Sequence, residues 1–304
     1  MGRVTRKSRI AACNNTPDPA IFEPFSWLVK GPYSMQIIGL CRFSYPALGG
    51  FQVGHDTVED RIAYLYHERR LEERFQLFET VALPCLKAQT DPDFELIIVI
   101  GDMMPRHHVD RLRDITADLP QARLHAEPPR KHREVMKEIL NNARNPDLPC
   151  LQFRFDDDDA VAVDFIDRLR TASDDCFGLT QAHRTVAFDW NRGLIAEYGA
   201  DGIAATEVFR PFDVAALAMY VRPRCPLTIM NYAHNKINRF MPSVSFDTQH
   251  MFVRGHNASN DSRQKGEAPA DVVPLTAEGE KMFRKRFAID ANAVRAIFSK
   301  GQPA

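Results

Sequence analysis

Apolar positions along the chain alternate between short continuous runs and longer runs with helical spacing. Residues 96–100 are apolar at every position, which is typical of a strand buried on both faces of a sheet. Between residues 58 and 88 apolar residues recur at helical spacing, and Pro84 is expected to kink or end that helix. Further strands are predicted at 37–40, "ARLHAE" (122–127) and "CLQFRF" (150–155), and further helices at "RLRDITADL" (111–119) and "REVMKEILNNAR" (133–144). This alternating order predicts an α/β fold, a mixed and mostly parallel sheet flanked by helices.

The two ends of the chain lack this alternation. Residues 1–34 open with the basic, polar stretch "MGRVTRKSRIAACNNTPDP" and are predicted to be a mostly disordered extension, so that Met35 is a candidate natural start. A polar stretch of loop-forming residues at 257–271 separates the main domain, 35–260, from a loop and helical segment at 261–304. Thr276 and Asp290 are expected to cap the two C-terminal helices.

Composition and charge exclude several classes of protein. The 304 residues include 44% hydrophobic residues, and 39 Lys and Arg residues nearly balance 40 Asp and Glu residues. Since no overall field attracts nucleic acid, no nucleic-acid partner is expected. The six cysteines form no C-x-x-C pair, which favours reduced thiols. No run is long enough for a transmembrane segment and the start lacks a signal-peptide pattern, so the protein is expected in the cytoplasm, either free or peripheral at the inner membrane face.

Four consecutive aspartates, residues 156–159, follow the predicted strand "CLQFRF". Asp159 could cap a helix beginning near Ala160, but a cap uses only one carboxylate, and four adjacent carboxylates repel one another. Asp156 and Asp158 lie two apart, so in an extended segment they share a face and can approach one divalent cation. Mg²⁺ or Mn²⁺ held by one or two carboxylates usually completes its coordination with water and substrate phosphates. The motif therefore predicts a metal-bridged diphosphate at the sheet edge where α/β proteins bind ligands.

The position of this D-x-D motif in the chain resembles that in GT-A glycosyltransferases, where it follows the nucleotide-binding half. In haloacid-dehalogenase-like phosphatases the motif instead ends the first strand of the fold. Upstream, "LPCLKAQTDPDFELIIVIGD" (83–102) is similar to a segment of inverting GT-A enzymes, although Gly101 replaces its first Asp and no "G-S" follows Asp102. Together with "IGLCRFSYP" (38–46) and "FRFDDDDAVAVDF" (153–165), residues 70–102 resemble the bacterial "putative rhamnosyltransferase" family.

This resemblance implies a GT-A-like fold and a metal-dependent transferase. Such an enzyme would move a sugar, rhamnose from dTDP-rhamnose by the family name, from a nucleotide-diphosphate donor to a glycan or lipid-linked acceptor in polysaccharide biosynthesis. Inversion at the anomeric carbon and a Mn²⁺ or Mg²⁺ cofactor go with it. The main domain would then divide into a nucleotide-sugar half, 35–159, and an acceptor half, 160–260.

The resemblance also implies roles in donor binding. Asp156 would contact the donor ribose or the metal, with Asp157 beside it at the nucleotide sugar, and Asp158 would hold the metal. Asp102 would hydrogen-bond the nucleobase, unless it only forms a turn. Arg42, just past the first strand, would lie beside the base or the diphosphate, the alternative being a surface ion pair.

Two roles are expected in the acceptor half. His256, in a loop with Gly and Asn neighbours, would complete the metal shell, because neutral imidazole suits Mn²⁺. Asp247 would take the proton from the acceptor hydroxyl, or else cap a helix formed by "TQHMFVR". His234 and His250 are the alternative bases.

Two other functions fit the aspartate motif. One is a metal-dependent phosphohydrolase, which would release phosphate from a simple phosphomonoester. The other is a Ca²⁺-stabilised binding module without catalysis, which would keep its ligand when Asp102 is changed. Turnover of a sugar nucleotide distinguishes the transferase from both.

Overall fold

The computed structural model describes residues 35–49, 54–213, 215–256 and 271–299. The predicted extension, 1–34, lies outside these ranges, as does most of the predicted polar loop, at 257–270. Among the described residues, no helix is both long enough and apolar enough to cross a membrane. The five described cysteines are free thiols.

Residues 36–156 alternate strands and helices in the predicted order. Their elements are β1 (Gln36–Arg42), α1 (Val58–Leu65), α2 (Glu68–Leu77), α3 (Leu83–Lys87), β2 (Glu95–Gly101), α4 (Arg106–Thr116), β3 (Ala122–Glu127), α5 (His132–Ala143) and β4 (Cys150–Asp156). All strands predicted in this region are present, and the run at 96–100 is buried throughout as expected.

The helical region 58–88 is divided more finely than its apolar spacing predicts. A π-helical turn, Phe78–Ala82, joins α2 to α3, and the N–H of Leu83 donates to the carbonyl oxygen of Phe78. Pro84 lies in the first turn of α3, where a missing N–H costs little. The proline therefore neither ends the helical region nor interrupts the packing of its apolar face.

The remaining elements include all five strands of a second sheet. They are β5 (Ala160–Val161), α6 (Phe165–Asp175), α7 (Phe177–Ala182), β6 (Thr185–Trp190), β7 (Arg192–Gly199), β8 (Gly202–Phe209), β9 (Leu217–Val221), β10 (Ser243–Phe246), β11 (Phe252–Gly255), β12 (Val273–Pro274), α8 (Ala277–Phe287) and α9 (Ala291–Ser299). The two predicted C-terminal helices are confirmed. The hydroxyl of Thr276 accepts a hydrogen bond from the N–H of Gly279 at 3.2 Å, and Asp290 accepts one from the N–H of Asn292 at 2.9 Å.

The larger sheet has the strand order β10-β6-β9-β4-β1-β2-β3. Only β9 is antiparallel to its neighbours β4 and β6, and every other pair is parallel. The mixed, mostly parallel sheet is thus confirmed. Because six strands run in the same direction, the residues that follow β1, β2, β4 and β10 all lie along one edge of the sheet.

The smaller sheet has the order β12-β8-β7-β11-β5. Its strand β5 pairs antiparallel with β11, which places Val161 opposite Phe252. Since β4 ends at Asp156 and β5 begins at Ala160, the aspartate turn lies where the chain leaves one sheet and enters the other.

Helices cover the larger sheet with apolar side chains on both faces. One buried cluster includes Phe43, Phe75 and Phe153, and the other includes Ile38 and Met136. Burial of each such side chain contributes roughly 1.5–3 kcal/mol relative to exposure. The sheet edge is therefore a rigid support for the polar residues that follow its strands.

Candidate active site

Arg42 and Asp156 lie opposite each other at the ends of the parallel strands β1 and β4. They border a small cleft beyond the sheet edge, named here the Asp156 cleft. Its lining residues are Leu40, Arg42, His132, Met136, Arg154, Phe155, Asp156 and Met230. The structure thus brings together Arg42 and the first aspartate of the motif, two residues that lie 114 positions apart in the sequence (156 − 42).

The charge of Asp156 is set by the arginines around it. Burial alone would raise the pKa of its carboxyl, but Arg42, Arg154, Arg254 and Arg74 act in the opposite direction, and the net effect is a lowered pKa. Asp156 is therefore an ionised carboxylate at neutral pH, in a setting dominated by positive charge.

The pKa values of the other two polar groups that line the cleft beside Arg42 and Asp156, namely His132 and Arg154, are both lowered. Burial, followed by the charges of Arg42 and Arg154, lowers the pKa of His132 to about 3, so its imidazole is neutral at pH 7. Burial also lowers the pKa of Arg154. Burial, the largest cause of both shifts, opposes an added unpaired charge, and the lining residues include two guanidinium groups, Arg42 and Arg154, and one carboxylate, Asp156.

Asp157 and Asp158 are both held by one buried arginine of α2. The Nε of Arg74 donates to Oδ2 of Asp157 at 3.1 Å, with a second, close contact between Nη2 and Oδ1. Nη1 donates to Oδ2 of Asp158 at 3.2 Å. The side chains of all three are at most 5% exposed. From the sequence, a bound cation is expected to offset the repulsion between the adjacent carboxylates. The guanidinium of Arg74 offsets part of that repulsion.

Asp159 does not cap a helix, so that expectation is wrong. Residues 160–161 form β5, the N–H of Ala162 donates to the carbonyl oxygen of Met251, and α6 begins only at Phe165. Ala160 and Val161 pair with the neighbouring strand β11 through backbone hydrogen bonds, which replace those of a helix, so the chain stays extended. The Oδ1 of Asp159 instead accepts a hydrogen bond from the N–H of Gly255 at 3.1 Å.

The surroundings of Asp159 oppose its ionisation. Burial, and then the charges of Asp158 and Asp156, raise the pKa of Asp159 well above its ordinary value. Its contact with Gly255 also requires a close approach of two backbones, because a Cβ on Gly255 would lie 2.4 Å from the carbonyl oxygen of Asp158. Only glycine fits at this position of β11.

His256 directly follows this glycine. Its N–H donates to the carbonyl oxygen of Ala196 at 2.8 Å, and its Nδ1 lies 3.1 Å from Oε1 of Glu197. The structure therefore places His256 next to the aspartate turn through Gly255, with its imidazole paired to Glu197.

Arg254, on the other side of Gly255, joins the aspartates to a second acidic residue. Its Nη1 contacts Oδ1 of the buried Asp213, whose Oδ2 lies 3.7 Å from Nη1 of Arg210. Burial would lower the pKa of Arg254, but Asp213, Asp159 and the other aspartates outweigh it and raise the pKa. Arg254 is thus a permanent cation between the aspartate turn and Asp213.

Asp102 lies on the same sheet edge but outside the aspartate cluster. It follows β2, its side chain is exposed, and its N–H donates to the carbonyl oxygen of Glu127 at 3.1 Å. Because β1 lies between β2 and β4, roughly 10 Å of sheet separates the ends of their strands. This spacing leaves room for an extended ligand between Asp102 and Asp156.

Asp247 also lies on this edge, at the end of β10, and is exposed. The helix expected after it is absent from the described residues 248–256, where β11 pairs with β7 and β5 instead. The cap interpretation of Asp247 is therefore wrong. Among the described residues it has neither a hydrogen-bond nor an ion-pair partner. Since β6 and β9 lie between β10 and β4, roughly 14 Å of sheet separates Asp247 from Asp156.

Of the two alternative bases, His234 is the one close to the arginines of the cleft. Its Nδ1 lies 2.9 Å from the carbonyl oxygen of Phe212 and can only donate to it, which leaves Nε2 as an acceptor. Burial lowers the pKa of His234, and the charges of Arg154 and Arg254 act in the same direction. The Nε2 of His250 lies 3.1 Å from Oε1 of Glu207, away from the turn.

Gln89, in the segment "LPCLKAQTDPDFELIIVIGD" (83–102), holds the chain that follows the aspartates. Its amide nitrogen donates to the carbonyl oxygens of Cys85 and Ala162, both at 2.9 Å, and its Oε1 accepts from the N–H of Ile166 at 3.0 Å. The glutamine thus fixes the exit of the turn to the end of α3.

Sequence reasoning missed the roles of Arg74, Arg254 and Asp213 in this site. A signal for Arg74 exists, because it lies three residues after Leu71 and four before Phe78, on the apolar side of an amphipathic helix. A buried guanidinium requires a carboxylate partner. For Arg254 and Asp213 no local pattern gives a comparable signal.

Comparison with known proteins gives one family match and several remote structural likenesses. The family model described as "Putative rhamnosyl transferase" matches residues 36–269. No curated protein matches the chain. A fragment of S. aureus TarS is similar at 9% identity with a TM-score of 0.36, over 73% of this chain and 60% of the TarS fragment. The same fragment has also been solved with UDP-GlcNAc.

A second structural likeness is to a protein from Desulfovibrio desulfuricans G20 described as a "putative nucleotide-diphospho-sugar transferase". The identity is 12% and the TM-score 0.35, over 88% of this chain and 95% of that one. The family match covers most of the chain, including β1, the Asp156 cleft and the aspartate turn. The chain therefore belongs to the family described as "Putative rhamnosyl transferase", a family of glycosyltransferases.

Proposed function

We propose that this protein transfers a sugar from a nucleotide-diphosphate donor to a hydroxyl group of a glycan or a lipid-linked acceptor. The family description makes rhamnose, supplied as dTDP-rhamnose, the first donor to test, with inversion at the anomeric carbon. The observation that carries the proposal is the Asp156 cleft, where Arg42 and Arg154 border one ionised carboxylate.

The arginines of the cleft have the chemistry that a departing diphosphate requires. Breaking the bond between sugar and diphosphate increases negative charge on the leaving phosphate oxygen. Fixed positive groups aimed at that charge stabilise the transition state without reorganising. Arg42 and Arg154 line the cleft, and Arg254 lies close enough to lower the pKa of Asp156. Guanidinium groups also bind phosphate oxygens in a bidentate manner.

The residues present fit a divalent cation in donor type. Asp156 offers a carboxylate at the cleft, and Asp158, whose Oδ2 accepts a hydrogen bond from Arg74, offers a second carboxylate in the same turn. Carboxylate oxygens are the ligands that Mg²⁺ and Mn²⁺ prefer. Asp156 and Asp158 would hold the ion, with His256 as a further ligand once its imidazole leaves Glu197. When bound, the ion would neutralise charge on the diphosphate.

The other sequence-predicted residues take roles that follow from their positions. Asp102 lies across β1 from the cleft and is assigned to the nucleobase. Asp157 is buried against Arg74, so its contribution to nucleotide-sugar binding is to fix the turn that presents Asp156. Asp247, exposed at the end of β10, is assigned the removal of the acceptor proton.

Calorimetric titration of dTDP and dTDP-rhamnose tests the donor site. With Mn²⁺, binding is expected to be lost on addition of chelator and in Asp158→Asn, because the diphosphate would then meet uncompensated carboxylate charge. Arg42→Gln is expected to weaken binding at least about tenfold even with Mn²⁺, since a charge-assisted hydrogen bond contributes about 1.5–3 kcal/mol. Asp167→Ala, an exposed aspartate on α6, is the matched control.

The outcomes separate the parts of this proposal. Equal affinity with Mn²⁺ and with chelator would refute the metal bridge but leave the arginine site in place. No binding of any nucleotide diphosphate, with phosphate released from a phosphomonoester, would instead identify a phosphohydrolase.

A further inference from the structure

A second group of potential metal ligands lies away from the aspartate turn, where α2 and α4 begin next to each other. It consists of Glu68, the first residue of α2, and of His107 and His108 in the first turn of α4. One ligand atom from each lies within 4.8 Å of the other two. The Oε2 of Glu68 is 3.2 Å from Nε2 of His108 and 4.0 Å from Nε2 of His107.

The fold fixes one of these ligands and leaves two adjustable. The side chain of His108 is 3% exposed, and its ring stacks on Phe75 with centroids 5.6 Å apart. By contrast, the side chains of His107 and Glu68 are 68% and 74% exposed. A buried, oriented imidazole with two exposed ligands beside it can close around an ion by small rotations of the exposed side chains alone.

The distances are close to those that a tetrahedral ion requires. Zinc binds imidazole nitrogen and carboxylate oxygen at about 2.0–2.2 Å, so tetrahedral ligand atoms lie roughly 3.3–3.5 Å apart. The pair Glu68–His108 is already near this separation, and the Nε2 of His107 needs to approach the Oε2 of Glu68 by less than about 1 Å.

An ordinary salt bridge explains the arrangement less well. Exposed ion pairs contribute little to stability, and a salt bridge needs a protonated imidazole. Two imidazoles and one carboxylate that converge within 4.8 Å are, by contrast, an ordinary ligand set for a divalent ion.

We propose that Glu68, His107 and His108 form a second metal site, which binds Zn²⁺ or a similar borderline divalent ion. Two imidazoles and one carboxylate favour such ions, whereas the all-carboxylate turn at β4 favours Mg²⁺ or Mn²⁺. The bound ion joins the start of α2, the helix that carries Arg74, to the start of α4, which follows Asp102. This site does not depend on the proposed sugar transfer.

Zinc titration of the metal-stripped protein, with a chromophoric chelator as competitor and millimolar Mg²⁺ present, tests the proposal. One Zn²⁺ per chain is expected, with a rise in melting temperature, because an ion bound only by the folded state stabilises it. His107→Ala and Glu68→Ala should each weaken zinc binding at least about tenfold, since loss of an outer-shell partner alone costs 10–100-fold. Both residues are exposed, so folding is spared.

His183→Ala, an exposed histidine at the end of α7, is the matched control and should bind zinc like the unmodified protein. The proposal is overturned if zinc does not bind stoichiometrically in the presence of Mg²⁺. It is also overturned if His107→Ala and Glu68→Ala bind zinc as tightly as His183→Ala does.

Discussion

The carboxylates at the ends of β4 and β10 lie on the same edge of the sheet, but those at β4 are surrounded by arginines and the one at β10 is exposed to solvent. At β4, Asp157 and Asp158 are buried and bonded to Arg74, and Asp156 is surrounded by further arginines. At β10, Asp247 is exposed, and no described residue is hydrogen-bonded or ion-paired to it.

This difference separates two uses of the same side chain. A carboxylate bonded to a guanidinium is held in place and kept ionised, which suits the binding of a substrate or metal but not the uptake of a proton. A general base must be accessible to the acceptor and have a lone pair that no cation occupies. In the proposed function, the end of β4 is accordingly assigned to the donor and the end of β10 to the acceptor.

The largest expected effect concerns Asp247, the residue that follows β10. Asp247→Asn should lower turnover about 10²- to 10⁴-fold, the usual contribution of a positioned general base, with nearly unchanged donor affinity because Asp247 lies far from the cleft. Steady-state transfer from the sugar nucleotide to an accepted glycan, alongside calorimetry of the donor, measures both. Asp201→Asn, an exposed aspartate between β7 and β8, is the control.

Turnover of Asp247→Asn within a few-fold of the unmodified protein would remove Asp247 from the mechanism. His234→Gln then becomes the informative variant. In the unmodified protein the Nε2 of His234 is the acceptor of a neutral imidazole close to Arg154 and Arg254. A loss of turnover in His234→Gln would therefore assign the base to the β4 side instead.

The second prediction concerns the guanidinium at β4. Arg74→Met should destabilise the protein by about 3–5 kcal/mol in urea unfolding, because it leaves the buried carboxylates of Asp157 and Asp158 without their partner. Arg69→Met, an exposed arginine on the same helix, should change stability by less than about 0.5 kcal/mol.

Adding Asp157→Asn and Asp158→Asn to Arg74→Met should recover part of the loss, since the neutral amides remove the buried charge. An Arg74→Met protein as stable as Arg69→Met would show that water or ions, rather than Arg74, compensate the turn.

Local pattern predicted the first half of the fold well because that half is built from local signals. Continuous apolar runs identify buried parallel strands, and the order of strands places Asp102 and Asp156 at one sheet edge. The pattern failed around residues 248–256, where Met251, Phe252 and Val253 form a short apolar run that fits a helix or a strand equally well. Only the pairing of β11 with β7 and β5 decides between them.

The candidate site was less predictable because its contacts are long-range. Arg74 meets Asp157 across 83 positions, and Arg254 meets Asp213 across 41. Local spacing says nothing about such pairs. The histidine pair at 107–108 carries no motif either, because its third ligand, Glu68, comes from another helix.

A further buried carboxylate, Asp189 on β6, sharpens the comparison because its hydrogen-bond donors are neutral. Its Oδ1 accepts from the N–H of Phe212 and its Oδ2 from the hydroxyl of Ser245, both at 3.0 Å, and the residue is 0% exposed. Burial raises the pKa of Asp189 to about 6, against an ordinary value near 3.8. Burial raises the pKa of both aspartates, but only at Asp156 do arginines outweigh it, so the net shifts of the two pKa values are opposite.

The smallest expected effect follows from this shift. Between pH 4 and 6 the folded protein holds a proton on Asp189 that the unfolded chain has released, so its stability should fall as pH rises through this window. Asp189→Asn should remove this dependence and, above pH 6, increase stability by about 3 kcal/mol, because an amide has no ionisation to lose. Its oxygen can still accept from Phe212, and its nitrogen can donate to Ser245. Urea unfolding at pH 5 and pH 8, with Asp201→Asn as control, measures the difference. If Asp189→Asn is less stable than the unmodified protein at both pH values, the ionised carboxylate with its two neutral donors stabilises the fold. The free-energy cost of ionising a buried carboxylate without an arginine partner would then be absent at Asp189.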